Sequence, residues 1–155
     1  ALPIADTSAL PSLDGLSNIT TVEYLYVVGN AALTSLNGLA SLTSVGRDLG
    51  ITDNSALTSL DGLSKITSVD GDLYILRNTA LTSLDGLSNI TSVGEDLDIV
   101  GNAALTNLDG LSSVTSVDSV YIYNNPNLCQ SEVDAFVAGV TVSGSVTTTG
   151  NDDGC

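Results

Sequence analysis

The hydrophobic positions of the chain follow a fixed cycle. From Leu57 the aliphatic residues fall at every third position, Leu57, Leu60, Leu63, Ile66 and Val69, and then two apart at Leu73 and Ile75. Neither spacing is that of an amphipathic helix. A step of two predicts a short strand with Leu73 and Ile75 facing in and Tyr74 facing out, and a step of three suits tightly bent backbone with every third side chain inward. The cycle then restarts: NSALTSLDGLSKITSVDGDLYILR from Asn54 aligns with NTALTSLDGLSNITSVGEDLDIVG from Asn78 at an offset of 24 residues. Seven aliphatic columns recur in five coils, beginning at Leu10, Leu33, Leu57, Leu81 and Leu105, and every position in them is Leu, Ile or Val. A period of this length makes each unit one coil of a solenoid, whose apolar side is buried only by its neighbours.

The residues between the columns place the turns. Val22 stands three before Leu25 and Val117 three before Val120, where the middle coils have a spacing of four. A length change confined to one place marks a surface turn. Asparagine follows the strand in every coil, at Asn30, Asn54, Asn78, Asn102 and Asn125. The expectation is a stack of amides that satisfies the buried backbone of a sharp turn, with ligand binding the weaker reading. A second column pairs Asp with Gly at Asp14-Gly15, Asp61-Gly62, Asp85-Gly86 and Asp109-Gly110, with Asn37-Gly38 in coil two. Calcium between coils is conceivable, but Asn37 favours a turn closed by Asp or Asn, with Gly supplying a positive φ.

These features give a β-rich solenoid over residues 10–128, preceded by a segment 1–9 and followed by a cap 129–155. The run LTSLDGLSKITSVDGDLYILRN, spaced L-x-x-L-x-x-L-x-x-I-x-x-V and then L-x-I-x-x-N, resembles leucine-rich repeats, especially the coils of receptor L-domains, and is similar to bacterial internalin-type repeats. The resemblance implies a right-handed solenoid with a parallel sheet on one face and a role in adhesion or recognition. The extra residue of the middle coils and their helix-poor backs favour the L-domain or a β-helix-like variant over a curved horseshoe.

The ends depart from the cycle. After Cys129, Val133, Phe136, Val137 and Val140 are spaced as on a helix, and VTVSGSVTTTG then reads as a last strand or a hairpin. This makes a cap, which protects the apolar side and strand edges of the last coil. Cys129 and Cys155 bracket it, and their simplest reading is a disulfide in an oxidising compartment, the cell exterior or periplasm. Residues 1–9 offer half a coil at most, so the first coil is expected to be thinly covered and to be a candidate assembly point.

Composition narrows the partners. The 155 residues carry three basic and 18 acidic side chains, a formal charge of -15, with no His and no Met. Such a field repels phosphate backbones and anionic headgroups, so nucleic acid and bare membrane are poor partners. No stretch reaches the roughly 20 apolar residues of a membrane span, and the chain reads as a processed, secreted or cell-surface one. Without His, without a free Cys and without a Ser or Lys beside a base, it is not expected to be an enzyme.

The outward strand positions carry the candidate chemistry. Tyr24, Asp48, Asp72, Asp96 and Ser119 precede the inward pair; Tyr26, Gly50, Tyr74, Asp98 and Tyr121 stand within it; Val28, Thr52, Leu76, Val100 and Tyr123 follow. All five tyrosines of the protein lie in these columns, amid the most variable surface of a monotonous repeat. Tyrosine is a frequent recognition residue, although it also simply suits strands. The binding face expected here is Tyr24, Tyr26, Val28, Tyr74, Leu76, Asp98, Val100, Tyr121 and Tyr123, with Val28, Leu76 and Val100 as an apolar stripe. The partner is a protein or glycan at a cell surface; the alternative is the chain itself, in filaments or a surface layer. No resident cofactor is expected, though Ca2+ is possible at the stacked Asp48, Asp72 and Asp96. Threonine columns, Thr34, Thr58, Thr82 and Thr106 with Thr20, Thr43, Thr67, Thr91 and Thr115, resemble ice-binding arrays, but each precedes a core residue at a corner, so a structural role is preferred.

Overall fold

The computed structural model describes residues 1–7 and 9–155; Ser8 lies outside the described residues. In chain order the strands are β1 (Leu2–Ala5), β2 (Thr21–Val22), β3 (Leu25–Val28), β4 (Ser44–Val45), β5 (Leu49–Thr52), β6 (Ser68–Val69) and β7 (Leu73–Leu76). They continue as β8 (Ser92–Val93), β9 (Asp96–Val100), β10 (Ser116–Val117) and β11 (Ser119–Tyr123), then helix α1 (Gln130–Gly139), β12 (Thr141–Val142) and β13 (Val146–Thr147). The odd-numbered strands form one parallel sheet of seven, in order β1-β3-β5-β7-β9-β11-β13, and the even-numbered ones a parallel sheet of six. A 3₁₀ turn lies within each leucine-rich segment, after its first two leucines, at Asp14–Leu16, Asn37–Leu39, Asp61–Leu63, Asp85–Leu87 and Asp109–Leu111. Each coil thus runs strand, sharp turn, leucine-rich bend, two-residue strand and corner; the steps of two and three predict the first strand and the bend, and the two-residue strand at each Val column is an addition to them.

Register puts like on like. Leu25, Leu49, Leu73, Leu97 and Val120 align across the seven-stranded sheet, as do Val27, Ile51, Ile75, Ile99 and Ile122, and all of them are fully buried. The leucine-rich bends close the other side, so the core is one stack of aliphatic layers. Long-range pairing of this kind gives no coil an independent core.

The asparagine column runs through the core as a hydrogen-bonded ladder. Each side chain donates from Nδ2 to the inward strand residue of the preceding coil: Asn54 to Val27 (2.8 Å), Asn78 to Ile51 (2.8 Å), Asn102 to Ile75 (2.8 Å) and Asn125 to Ile99 (2.9 Å). Each Oδ1 accepts the backbone N–H of the preceding asparagine, as in Asn54 to Asn78 at 3.1 Å. A buried amide that saturates both of its ends replaces the strand hydrogen bonds lost at the corner. The ladder has a further rung, Asn151, which donates to Ile122 at 2.9 Å and accepts from Asn125 at 3.2 Å. At the other end Thr7 donates its N–H to Asn30 Oδ1 at 3.3 Å.

The residue before each rung lies in the left-handed region: Asp6, Gly29, Asp53, Arg77, Gly101, Asn124 and Gly150 have φ between 53° and 73°. The glycines of the Asp-Gly column do not, and their expected positive φ is corrected. They are needed for space, because a Cβ on Gly38, Gly62, Gly86 or Gly110 would collide with the carbonyl group of Leu13, Leu36, Leu60 or Leu84 in the preceding coil. The threonine columns clasp neighbouring coils at the corners: Thr43, Thr91 and Thr115 donate through both N–H and Oγ1 to the carbonyls of Thr20, Thr67 and Thr91.

At the C-terminal end, α1 takes the place of the leucine-rich bend and buries Val133, with Phe136 and Val137 packed against the core. The following segment is not a hairpin: β12 pairs with β10 and β13 with β11, each parallel, so it completes a last coil. Cys129 and Cys155 form a disulfide with Cα atoms 5.9 Å apart, which ties the chain terminus to the start of α1. At the N-terminal end β1 pairs with β3 along its whole length.

Candidate functional site: the outer face of the seven-stranded sheet

The inward residues of this sheet fix the outward ones by alternation, so the candidate face is assembled with Tyr26, Gly50, Tyr74, Asp98, Tyr121 and Thr147 in one cross-strand line. Beside it run Tyr24, Asp48, Asp72, Asp96 and Ser119 on one flank and Val28, Thr52, Leu76, Val100 and Tyr123 on the other.

Hydrogen bonds hold much of this face in a set shape. Tyr24 and Tyr26 stack nearly parallel, with ring centroids 6.2 Å apart and an interplanar angle of 18°. The Tyr26 ring lies over Gly50, where a Cβ would come within 2.8 Å of Cδ1, and its hydroxyl donates to Asp48 Oδ2 at 2.6 Å. Gly50 is therefore the space that lets Tyr26 lie across the neighbouring strand. Two strands along, the Tyr74 hydroxyl donates to Asp72. The other carboxylate oxygens of these acids accept backbone N–H groups of the next coil, Asp48 from Asp72 at 3.3 Å and Asp72 from Asp96 at 2.8 Å. The acid column is thus a second clasp between coils, serving tyrosine and backbone together.

Electrostatics follow from that wiring. Hydrogen bonding to Asp48, with burial and its charge, pushes the Tyr26 hydroxyl up to about 12. Burial and the bond to Asp72 raise that of Tyr74. Asp98, half-buried between Tyr74 and Tyr121 in the sheet register, is pushed up to about 6 by burial and by its neighbours Asp96 and Asp72. At the margin Arg77 pairs bidentately with Asp53 at 2.7 and 2.8 Å, and the guanidinium holds Asp53 below the usual carboxylate range.

Eight of the nine residues of the expected face lie in strands of one sheet, and Tyr24 immediately precedes β3. The stripe of Val28, Leu76 and Val100 is half-buried, because strands on either side shield it; among the described residues the large apolar side chain that stands exposed is Val146, at 46%, on the edge strand β13. Asp48 and Asp72 of the proposed calcium column spend oxygens on tyrosine and backbone, and among the described residues no three His, Cys, Asp or Glu side chains converge as a metal would require. Spacing alone could not show which acids hold the tyrosines. That Gly50 stands in the tyrosine line was the one visible signal that a ring would fold over it.

A parallel β-solenoid with an aliphatic core, an asparagine ladder and one chemically varied sheet is the class of protein that this fold defines. Residues 43–137 match the family model of the receptor L domain, and the chain belongs to that family. No curated protein and no solved structure matches the chain.

Proposed function

We propose that the protein is an extracellular, non-enzymatic ligand-binding module and that its ligand, a protein or a glycan, lies across the tyrosine face of the seven-stranded sheet. The observation that carries this reading is the contrast on one set of strands: inward positions are uniform, while outward columns carry all five tyrosines, with Tyr74 and Tyr121 on either side of Asp98. Rings pinned by Asp48 and Asp72 offer flat contact area with little entropy left to lose on binding. The family to which the chain belongs, named for receptors, supports binding in general, and the disulfide supports an oxidising, extracellular location. Both cysteines are consumed by that disulfide and the chain has no His, so nucleophilic catalysis has little to work with. Among the described residues no helix is long and apolar enough to cross a membrane. The charge of -15 selects for neutral or cationic ligands.

The test is a screen of labelled protein against glycan and surface-protein arrays, with calcium and with chelator, followed by Tyr74→Ala and Tyr121→Ala. Binding that falls at least about tenfold in both variants while thermal stability holds supports the face. Unchanged affinity removes it. A requirement for calcium would promote the column Asp48, Asp72 and Asp96 to a metal-bridged site. Self-assembly through the apolar stripe is the weaker reading, since Val28, Leu76 and Val100 are half-buried.

A further inference from the structure

We propose that the middle of the outer sheet face is an arginine-binding subsite, in which the guanidinium of a protein ligand pairs with the carboxylate of Asp98 and lies against the ring of Tyr121. The inference rests on the reading of this face as the binding surface and names the chemical group that it takes. In the cross-strand line Tyr26, Gly50, Tyr74, Asp98, Tyr121 and Thr147, Asp98 is the one charged residue. Register places Tyr74 of β7 on one side of it and Tyr121 of β11 on the other, each about 4.8 Å away across the sheet.

The neighbouring acids show what a structural carboxylate does in this protein. Asp48 accepts the Tyr26 hydroxyl on Oδ2 and the Asp72 N–H on Oδ1. Asp72 accepts the Tyr74 hydroxyl on Oδ2 and the Asp96 N–H on Oδ1. Asp53, at the margin, is paired with Arg77. Asp98 has neither kind of partner: among the described residues its carboxylate accepts no hydrogen bond, and the one ion pair is that of Arg77 with Asp53. It is half-buried all the same. What sets it apart from the exposed acids of the bends and corners is its seat between two aromatic residues.

The surroundings say what the place lacks. Burial and the charges of Asp96 and Asp72 push the Asp98 carboxyl up to about 6, so the ionised group costs the fold stability and makes no contact that offsets the cost. Asp96 on its own strand, Asp72 and Tyr74 from β7 and Tyr121 from β11 face it, and none of them is basic. A cation is the missing partner. A metal ion is poorly served, because no three His, Cys, Asp or Glu side chains converge among the described residues. A guanidinium is well served: its fork of N–H donors matches the two oxygens of one carboxylate, its flat face stacks on an aromatic ring, and its weak hydration suits a half-buried seat. The Tyr74 hydroxyl is tied to Asp72, which makes that ring a fixed wall. The Tyr121 hydroxyl makes no hydrogen bond among the described residues, so its ring can settle on the incoming group. The charge of -15 draws basic ligands to the whole molecule, and this subsite selects where they bind.

The probe is N-acetyl-arginine amide, titrated at low ionic strength with chelator into the intact oxidised protein and followed by NMR at the backbone amides. Saturable shifts are expected at Asp98 and Tyr121, with a Kd on the order of millimolar for a single side chain. Asp98→Asn should weaken binding by about tenfold or more. Asp85→Asn, the same change of charge on an exposed bend, should leave it unaltered. The uncharged isostere N-acetyl-citrulline amide should not bind, and N-acetyl-lysine amide should bind less well. Affinity should also fall by about tenfold on going from mildly alkaline solution to one about a unit below the carboxyl's value of about 6, as Asp98 takes up its proton. The proposal is overturned by the absence of saturable shifts, by shifts spread evenly over the acids of the chain, by binding indifferent to Asp98→Asn, or by equal binding of the citrulline or lysine probe. The face is tested apart from the subsite with any protein ligand found on the arrays. A ligand lost with Tyr74→Ala and Tyr121→Ala but kept with Asp98→Asn overturns the subsite and leaves the face standing, whereas one indifferent to all three substitutions removes both.

Discussion

The inner and outer faces of the seven-stranded sheet are made by the same strands and behave as two different proteins. Inward, Leu73 and Ile75 repeat their neighbours' side chains, and each layer is fully buried. Outward, the residues between and beside them change from coil to coil, from Tyr26 to Gly50 to Tyr74 to Asp98. The six-stranded sheet lacks the contrast: its outward positions are Thr21, Ser44, Ser68, Ser92, Ser116 and Thr141. Packing a stack of coils constrains only the side that faces in and the corners, since those groups cannot reach water. The variety of this outer face, which packing does not require, is the feature on which the proposed binding surface rests.

The comparison can be broken from the inside first. Asn78→Ala removes a buried amide, leaves the N–H of Asn54 without a partner and takes from the Ile51 carbonyl one of its two hydrogen bonds, an expected loss of about 2–4 kcal/mol in urea denaturation given about 1–3 kcal/mol for an orphaned buried group and about 1 kcal/mol for a lost hydrogen bond. A loss below 1 kcal/mol would mean that water enters the corner and that the ladder is not what holds it. Gly62→Ala comes next, at about 1–3 kcal/mol from overpacking against the Leu36 carbonyl. An unchanged midpoint would show that the coils can separate locally at no cost.

The outer face should give the smallest effect, with the opposite sign. The carboxyl of Asp98 is raised to about 6 by burial and by Asp96 and Asp72. A carboxyl raised in the folded state favours the protonated fold, so its penalty is absent below the ordinary carboxylate range and is felt in full once pH has risen through about 6. Asp98→Asn should therefore stabilise the protein near neutral pH, by less than about 1 kcal/mol because the group is half exposed to screening solvent. It should also flatten the fall in Tm on going from mildly acid to neutral pH. A variant less stable at neutral pH would show that the carboxylate makes a favourable contact that outweighs its burial.

Much of the architecture was legible because a solenoid writes its packing into a period. The spacing Leu73, Ile75, Asn78 defined strand, core and corner in every coil, and the same five-residue step from Val146 to Asn151 marks the last rung. That rung was overlooked because the cap replaces the leucine bend with α1 and leaves Val146 and Thr148 where the core residues stand elsewhere. The Asp-Gly column stands at a turn as its residues predict, but its glycines are required for space against the preceding coil and not for a positive φ. Positive φ belongs to the residue before each asparagine, Arg77 and Asp53 among them, and no rule of residue preference selects arginine for it.

The sequence by itself determined which residues face in and where the chain turns through its five leucine-rich coils, since inward packing and corner hydrogen bonds leave a period of two, three or 24 along the chain. It also set the five tyrosines in the outward columns at and beside the longer strands. Only the tertiary structure decided that Tyr26 lies across Gly50 to Asp48, that Asp72 serves both Tyr74 and the next coil, and that Gly62 faces the Leu36 carbonyl. Those are contacts between successive coils, and identical repeats look alike in sequence whether or not a neighbour stands beside them.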